Sequence, residues 1–347
     1  MNRRELLLSG MGACVVARGW AQTSPQPKLP ARRLRMLLNT GYSSPQSWLW
    51  LALREGHLER QGIELDLTPG SGAYTTAPRM IDSDFDLGYG DVNALIEEVS
   101  RRPQQAPRAV FMFFPASPSC VVVAKDGPVR TPKDFLDRRI IGHDSDVALR
   151  TFGVLCEQQQ LDRRRIRVDT AWSGMRGMVE EVLAGGADGA FGYASTFTGA
   201  IATARPSLLD RVRFINFSQW APDLYGSALM VSQRLLDNEP DTVRRVVSAF
   251  NNGLRSWLSK PESGLQALGA LHPQTDLSAE GARMWATLNN ELKHPDTRTI
   301  GYGDIDPARF ARSVDRIVRS SGLARTPEVQ DIFTGAFLPP PAQRVKT

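Results

Sequence analysis

The stretch that most constrains this fold is Gly70–Asp91, GSGAYTTAPRMIDSDFDLGYGD. It opens with Gly-Ser-Gly, and glycine allows a sharp turn and a close approach of the backbone to a ligand. A helix that begins at about Ala73 would direct its first N–H groups over this turn. Apolar residues then alternate with polar and small ones over 85–90, which is strand spacing. Asp91 follows as a suitable N-cap for a helix predicted over 92–101.

Two strand-to-helix junctions in close succession predict an open α/β sheet, and such sheets bind ligands at the carboxyl ends of their strands. Both loops are equally compatible with ordinary turns that bind nothing. The apolar run over 109–114 predicts a strand buried on both faces, as in parallel sheets covered by helices. Further helices are predicted over 45–59, 147–160, 278–292 and 307–320.

The length of 347 residues predicts two lobes rather than one. We expect the first crossing between them at Pro115–Pro118 and the return crossing at 220–226. Lobe 1 would then comprise 34–117 and 226–338, and lobe 2 would comprise 118–225. Residues 22–33 are a Pro-rich linker, and 339–347 are predicted to be a flexible tail.

Residues 1–21 have the pattern of a bacterial export signal. Arg3 and Arg4 precede an apolar segment, which ends at the small residue Ala21. The paired arginines fit the twin-arginine route, and they also occur in Sec signals, so both routes stay open. Cys14 lies in a weak lipobox, and lipid anchoring there is a minor alternative. We therefore expect a periplasmic protein.

Composition argues against several function classes. The formal charge is only +5, and no Lys/Arg-rich run alternates with aromatic residues, so we expect no nucleic-acid partner. No HExxH, CxxC or Ser-His-Asp pattern suggests a metal, a cofactor or a catalytic set. Cys120 and Cys156 remain after the signal, either as a disulfide or as two buried thiols.

Four segments carry family-like patterns: LREGHLERQGIEL at 53–65, FDLGYGD at 85–91, LAGGADGA at 183–190 and NEPDTV at 238–243. In this order they resemble the periplasmic substrate-binding proteins of ABC importers. The branch they resemble handles sulfonates, taurine, nitrate and pyrimidine precursors of thiamine. The resemblance covers roughly 34–260 and implies an SsuA-like, type II periplasmic binding fold, in which each lobe is a mostly parallel sheet flanked by helices.

The resemblance also implies that two chain crossings form a hinge and that a ligand is clamped between the lobes. The implied partners are a small-molecule ligand and the permease and ATPase of an ABC importer, and we expect the chain to be a monomer. The sequence departs from the family at Gly142–Asp146, where many members have a Gly-Ser-(Ser/Thr) turn. Two acidic residues there would oppose a simple sulfonate or nitrate.

The candidate ligand-binding residues lie at predicted strand ends and crossings. Trp48 also fits a core position, and Asp91 also fits a plain N-cap. The predicted set is Tyr42, Trp48, Ser71, Gly72, Ala73, Tyr89, Gly90, Asp91, Asp144, Ser145, Tyr193, Trp220 and Tyr225. Its tyrosines and tryptophans favour a flat aromatic or heterocyclic ligand over a sulfonate.

Two other functions stay open at this stage. One is an enzyme like the thiamine-pyrimidine synthases, which share this fold but carry a Cys-rich motif that is not found here. The other is a sensor domain that closes on the same ligand class.

Overall fold

The structure, a computed structural model, describes residues 31–170, 172, 174–202 and 205–346. The predicted export signal, Cys14 and most of the Pro-rich linker lie outside these residues. Within them, no helix has both the length and the apolar character needed to span a membrane.

The described residues form ten strands in two sheets. The strands are β1 Arg32–Leu37, β2 Ile63–Thr68, β3 Leu87–Asp91, β4 Arg108–Met112, β5 Ser119–Ala124, β6 Arg139–Ile141, β7 Arg167–Asp169, β8 Gly189–Tyr193, β9 Val212–Asn216 and β10 Ser227–Val231.

Helices cover both faces of the sheets. Those described are α1 Ser47–Arg54, α2 His57–Arg60, α3 Thr76–Asp82, α4 Val92–Arg101, α5 Val147–Gln158, α6 Met175–Leu183, α7 Ala194–Ala202, α8 Phe217–Trp220, α9 Gln233–Asn238, α10 Pro240–Ser259, α11 Pro261–Leu271, α12 Leu277–Ala286, α13 Asp296–Thr299, α14 Pro307–Ser320 and α15 Val329–Ile332.

The two sheets have the same architecture. The first has the order β2-β1-β3-β10-β4 and the second β7-β6-β8-β5-β9. In each sheet the fourth strand of that order runs antiparallel to its two neighbours, and the other two pairings are parallel. Each antiparallel strand is the one that follows a crossing from the other sheet. The predicted α/β fold with two mostly parallel sheets is therefore confirmed.

The two crossings run side by side between the sheets. The first, 113–118, leads from β4 to β5, and the second, 217–226, leads from β9 to β10. Gly226 N donates to Phe114 O at 3.0 Å, and Ser117 N donates to Leu224 O at 3.0 Å. Pro115–Pro118 lies within the first of these segments, and 220–226 lies within the second.

One buried arginine of α14 joins the two crossings. The Arg309 guanidinium donates to Pro115 O on the first crossing, and to Pro222 O (3.0 Å) and Leu224 O (3.3 Å) on the second. Asp296 Oδ2 accepts from the same guanidinium at 2.7 Å. We call this group, Arg309 with its four acceptors, the hinge clamp.

Several element boundaries differ from the sequence predictions. The first strand begins at Arg32, inside the predicted linker. The helix predicted over 45–59 is interrupted because Gly56 takes a left-handed conformation (φ 70°) between α1 and α2. The helix expected from about Ala73 starts as a 3₁₀ turn, Ala73–Thr75, before α3. By contrast, α4 and α14 begin and end where the apolar spacing predicted.

The carboxyl-terminal tail was predicted to be flexible, and its contacts contradict that prediction. Val345 is buried, and its carbonyl accepts from Tyr302 N at 2.8 Å. Arg344 pairs with Asp304 at 2.6 Å. Pro-rich composition suggested a loose segment, whereas one apolar residue and one ion pair fix 339–346 on lobe 1. The two cysteines, Cys120 and Cys156, are both free and buried, which decides between the two alternatives left open by the sequence.

Candidate functional site

A cavity of about 510 Å³ lies between the two sheets, and we call it the cleft. Its walls come from the loops that follow β1, β2, β6 and β8, together with Phe114 on the first crossing. These are carboxyl ends of parallel strands, where open α/β sheets bind their ligands. Of the two junctions singled out in the sequence, the one after β2 lines the cleft and the one after β3 does not. The lining residues are Asn39, Thr40, Gly41, Tyr42, Ser43, Pro45, Gly70, Ser71, Gly72, Ala73, Phe114, His143, Ser145, Asp146, Val147, Met175, Tyr193, Ser195, Thr196, Arg283 and Glu291.

The loop after β1 is held by its own side chains. Gln46 Nε2 donates to Asn39 Oδ1 at 2.7 Å, and Trp50 Nε1 donates to Ser43 O at 2.7 Å. Tyr42 is half-buried at the cleft wall, and one face of its ring stacks on His272 with centroids 3.8 Å apart. The ring is therefore held in place at the wall before any ligand arrives.

The glycine-rich loop after β2 packs directly on the loop after β1. A Cβ on Gly70 would lie 1.9 Å from Leu38 O, so only glycine fits there. Gly72 has φ 141°, and its N–H donates to Asn39 O at 2.8 Å. This close packing brings Ser71, Gly72 and Ala73 to the cleft wall.

The loop after β6 supplies a wall of lobe 2. Ser145 lines the cleft, and its backbone N and Oγ both contact His143 Nδ1, at 3.2 and 2.9 Å. Asp146, which the sequence analysis did not select, also lines the cleft and caps α5 by accepting from Ala148 N at 2.7 Å. Asp144, which it did select, is exposed and is not part of the lining. The signal for Asp146 was present, because the sequence predicts Asp91 as a candidate from the same pattern of an aspartate that caps a helix after a strand.

The two lobes contact each other at the cleft and beside it. A Cβ on Gly72 would lie 3.7 Å from Ser145 Oγ, so the loops after β2 and β6 are close neighbours. The Arg150 guanidinium of α5 lies over the Tyr74 ring of lobe 1, 5.4 Å from its centroid. The structure therefore has the lobes together around the cavity.

The carboxyl-terminal helices close the cleft from a side that the sequence analysis did not anticipate. Glu280 of α12 accepts from Ser44 N at 2.6 Å on lobe 1 and pairs with Arg283 at 3.0 Å. A π-helical turn, Thr287–Glu291, follows α12. Its last residue, Glu291, accepts from Ser195 N at 3.1 Å at the start of α7 on lobe 2. This segment thus contacts both lobes.

Three carboxyl groups lie at or near the cleft, and removal from water changes their acidity. Asp146 (partly buried) and Glu291 (buried) line the cleft, whereas Asp91 is buried outside its lining. Desolvation raises the pKa of Asp91 and of Glu291 to about 7 each, and that of Asp146 to about 6. The same cause raises the pKa of Tyr193 far above its ordinary value, and the charges of these three carboxylates add to the effect. Two carboxyl groups in the cleft lining, and a third close enough to Tyr193 to affect it, thus have pKa values raised toward neutrality.

Six of the thirteen predicted residues line the cleft: Tyr42, Ser71, Gly72, Ala73, Ser145 and Tyr193. The other seven do not. Trp48 and Tyr89 are fully buried, and Trp48 stacks on Phe113 with ring centroids 3.8 Å apart. A Cβ on Gly90 would lie 2.4 Å from Thr76 Cβ, so this glycine permits α3 to pack on β3. Asp91 is the N-cap of α4 and accepts from Asn93 N at 2.9 Å.

The two aromatic residues expected at the return crossing serve the hinge. Tyr225 is buried with its ring centroid 3.8 Å from the guanidinium carbon of Arg309, and its hydroxyl accepts from Asp306 N at 3.1 Å. Trp220 is partly buried against the apolar core at the end of α8, and its carbonyl accepts from Gln159 Nε2 at 2.9 Å. No aromatic box forms from these residues in the described cleft lining.

Comparison with solved structures shows the fold. The periplasmic aliphatic sulphonate binding protein SsuA from Escherichia coli superimposes with a TM-score of 0.63 and 13% identity, over 87% of this chain and 92% of that chain. The desulfurization enzyme DSZB superimposes with a TM-score of 0.56 and 14% identity, over 88% of this chain and 97% of that chain. The fold is therefore shared by a binding protein and an enzyme.

Comparison with curated sequences finds the riboflavin-binding protein RibY of Chloroflexus aurantiacus. It is 29% identical over 127 residues, which are 34% of this chain and 34% of RibY. The match thus spans about a third of the length of this relative. A family model, NMT1/THI5 like, matches residues 47–264, from α1 through both crossings into α11. Because that match extends over more than half of the chain, this protein belongs to the NMT1/THI5-like family.

Proposed function

We propose that this protein is an extracytoplasmic solute-binding protein that closes two lobes around a small organic ligand and delivers it to an ABC importer. The observation that carries the proposal is the cleft itself, which is lined by strand ends of both sheets above two paired crossings. Its volume of about 510 Å³ suits a small molecule. Two crossings side by side form a hinge about which lobes can close.

The comparisons support a binding role. SsuA, which shares the fold, is named for binding aliphatic sulphonates, and RibY is named for binding riboflavin. Three aromatic side chains line the cleft: Tyr42, Phe114 and Tyr193. We therefore propose a ligand with a flat aromatic or heterocyclic part, which these rings can contact on its faces and edges.

The enzyme alternative draws support from the fold shared with DSZB. Cysteine chemistry does not fit the described cysteines, because Cys120 and Cys156 lie in the core and not at the cleft. Burial also raises the pKa of the Cys156 thiol to about 12, which disfavours the reactive thiolate. A sensor that closes on the same ligand is a variant of the binding proposal and differs only in its membrane partner.

Mass spectrometry of small molecules released from natively purified protein tests the proposal. We expect a retained compound that returns unchanged and raises the melting temperature in a concentration-dependent way. Small-angle scattering should show a more compact particle with the ligand than after its removal. Conversion of that compound to a product by the purified protein would instead favour an enzyme.

We also propose that residues 1–21 direct export to the periplasm, where the mature protein acts as a monomer beside its permease. A reporter fused behind residues 1–40 should be exported. Replacing Arg3 and Arg4 together by Lys should abolish export of the reporter if the route is twin-arginine, and should leave its export nearly unchanged if the route is Sec. Labelling with a fatty-acid probe, compared with Cys14→Ser, tests lipid anchoring.

A further inference from the structure

The charges at the cleft wall are mainly acidic once internal pairs are considered. Asp146 and Glu291 line the cleft, and so do two basic side chains, Arg283 and His143. Arg283 already pairs with Glu280 at 3.0 Å. His143 is exposed, and its Nδ1 accepts from the Ser145 backbone at 3.2 Å. Arg283 is thus paired with Glu280 within the protein, although its Nε lacks a hydrogen-bond partner, whereas neither Asp146 nor Glu291 is in an ion pair among the described residues.

Glu291 occupies the place where an anion would be expected. Helix α7 begins at this wall, and the first N–H groups of a helix attract negative charge. Glu291 Oε1 already accepts from one of these groups, Ser195 N, and the side chain is only 1% exposed. A carboxylate of the protein is therefore bound at the position that a sulfonate or carboxylate ligand would need.

Several oxygen atoms at the same wall are left without partners. Among the described residues, Glu291 Oε2 and Tyr193 Oη are buried and have no hydrogen-bond partner in the protein. Asp91 Oδ2 is also buried without a hydrogen-bond partner, and its carboxylate lies close enough to Tyr193 to raise the pKa of that hydroxyl. Buried acceptors without partners are costly, and a ligand that donates hydrogen bonds would offset that cost.

We propose that the cleft selects a ligand that presents a cationic N–H group, such as an amine or amidine, and that Glu291 is the residue that sets this specificity. Glu291 both accepts from the ligand through Oε2 and excludes anions from the start of α7. This inference rests on the proposed binding function and deepens it. It also separates this protein from binders of sulfonates, whose ligands carry the opposite charge.

Two probes of nearly equal size test the charge preference. Benzamidine presents a planar cation and benzoate a planar anion on the same phenyl ring. We expect benzamidine to raise the melting temperature in a concentration-dependent way up to about 10 mM, and benzoate to leave it unchanged. Each measurement is repeated with EDTA, because a shift that needs a metal ion would overturn the proposal.

The variant Glu291→Gln removes the negative charge and keeps an oxygen that accepts from Ser195 N. We expect the dissociation constant for benzamidine to rise about tenfold or more, and benzoate to bind measurably. The matched control is Glu98→Gln. Glu98 of α4 is also a buried carboxylate, but it pairs with Arg102 directly after the helix and is not part of the cleft lining. This control should keep the preference of the wild-type protein. Asp146→Asn provides a second cleft variant, with its cap to Ala148 N retained.

The outcomes separate this inference from the proposed function. Stronger binding of benzoate than of benzamidine, no binding of either probe, or a preference unchanged in Glu291→Gln would overturn the inference. Retention of an anionic natural ligand would overturn it too, while leaving the binding function intact. Failure to retain or bind any compound, with turnover of one, would instead overturn the proposed function.

Discussion

The hinge clamp and the cleft both bury charged side chains, and they treat them in opposite ways. Arg309 is 6% exposed, and its guanidinium donates to three backbone carbonyls and the Asp296 carboxylate. Glu291 is 1% exposed, and it accepts from Ser195 N through one oxygen while the other has no partner among the described residues.

The difference distinguishes a structural charge from a functional one. A buried charge with complete hydrogen bonding recovers much of its desolvation cost within the protein. A buried carboxyl with an unpartnered oxygen does not recover that desolvation cost, and its pKa rises. We infer that the first holds the lobes in register and that the second awaits a partner from outside. Substitutions in the hinge clamp and in the cleft should therefore have different effects.

The largest effect should come from Arg309→Met. The substitution leaves the carbonyls of Pro115, Pro222 and Leu224 without their shared donor, and it leaves Asp296 without its cation. We expect the free energy of unfolding to fall by about 3–5 kcal/mol, as when one member of a buried charged network is removed. Urea denaturation followed by circular dichroism measures this change.

Arg312→Met is the matched control for Arg309→Met. Arg312 lies one turn further along α14 and pairs with Asp223, but its side chain is 54% exposed. An exposed ion pair contributes about 1 kcal/mol or less. Equal losses from the two substitutions would show that the clamp is no more than a surface pair.

A smaller effect should appear in the pH dependence of the ligand-free protein. The pKa of Glu291 is raised from 4.5 to about 7 by desolvation, although Ser195, Thr287 and Arg283 act to lower it. Between these two values the folded state binds more protons than the unfolded state, so stability falls as pH rises. The loss is at most about 3 kcal/mol for this group. Asp91 and Asp146, with pKa values raised to about 7 and about 6, act in the same direction.

Glu291→Gln sharpens this test because the glutamine side chain cannot ionise. We expect it to match the wild-type stability near pH 4 and to exceed it near pH 8, as measured by urea denaturation at each pH. Glu98→Gln should lower stability at neutral pH, since it loses an ion pair with Arg102. Asp134 and Glu239 have lowered pKa values. They therefore make the folded state more stable as pH rises, and they do so only at acidic pH, below their ordinary pKa values. Parallel pH profiles for the wild type and Glu291→Gln would contradict the assignment of Glu291.

Some residues of the cleft could be predicted from the sequence, and others could not. Strand ends, crossings and glycine turns are local, so Gly70, Gly72 and Ser145 could be placed at the cleft from their neighbours in the chain. Glu291 could not, because its position depends on a π-helical turn that packs against α7, almost a hundred residues earlier. No periodicity in the sequence encodes that contact.

Aromatic residues were the weakest guide to the site. Trp48 and Tyr89 lie near strand ends, as Tyr42 does, yet they fill the core. Both contact Phe113 of the first crossing, and Trp48 also contacts Phe250 of α10. The sequence predicts Tyr225 as a ligand contact, whereas in the structure its ring packs against the Arg309 guanidinium. Which face of an element meets solvent depends on packing with distant helices, and spacing alone does not determine it.

The smallest effect should come from the contact that joins the lobe edges. Arg150 of α5 lies over the Tyr74 ring, and this cation–π pair forms only when the lobes are together. At a partly exposed site such a pair contributes about 0.5–1 kcal/mol, so Arg150→Met should weaken ligand binding about two- to fivefold. Most of that change should appear as faster dissociation in stopped-flow measurements, because the pair is made after the ligand has entered. Arg163→Met removes a cation–π contact with Phe152 that lies within lobe 2, and it should leave dissociation unchanged. If both substitutions speed dissociation equally, the Arg150 contact has no special role in closure, and the unpartnered acceptors of the cleft must account for ligand retention by themselves.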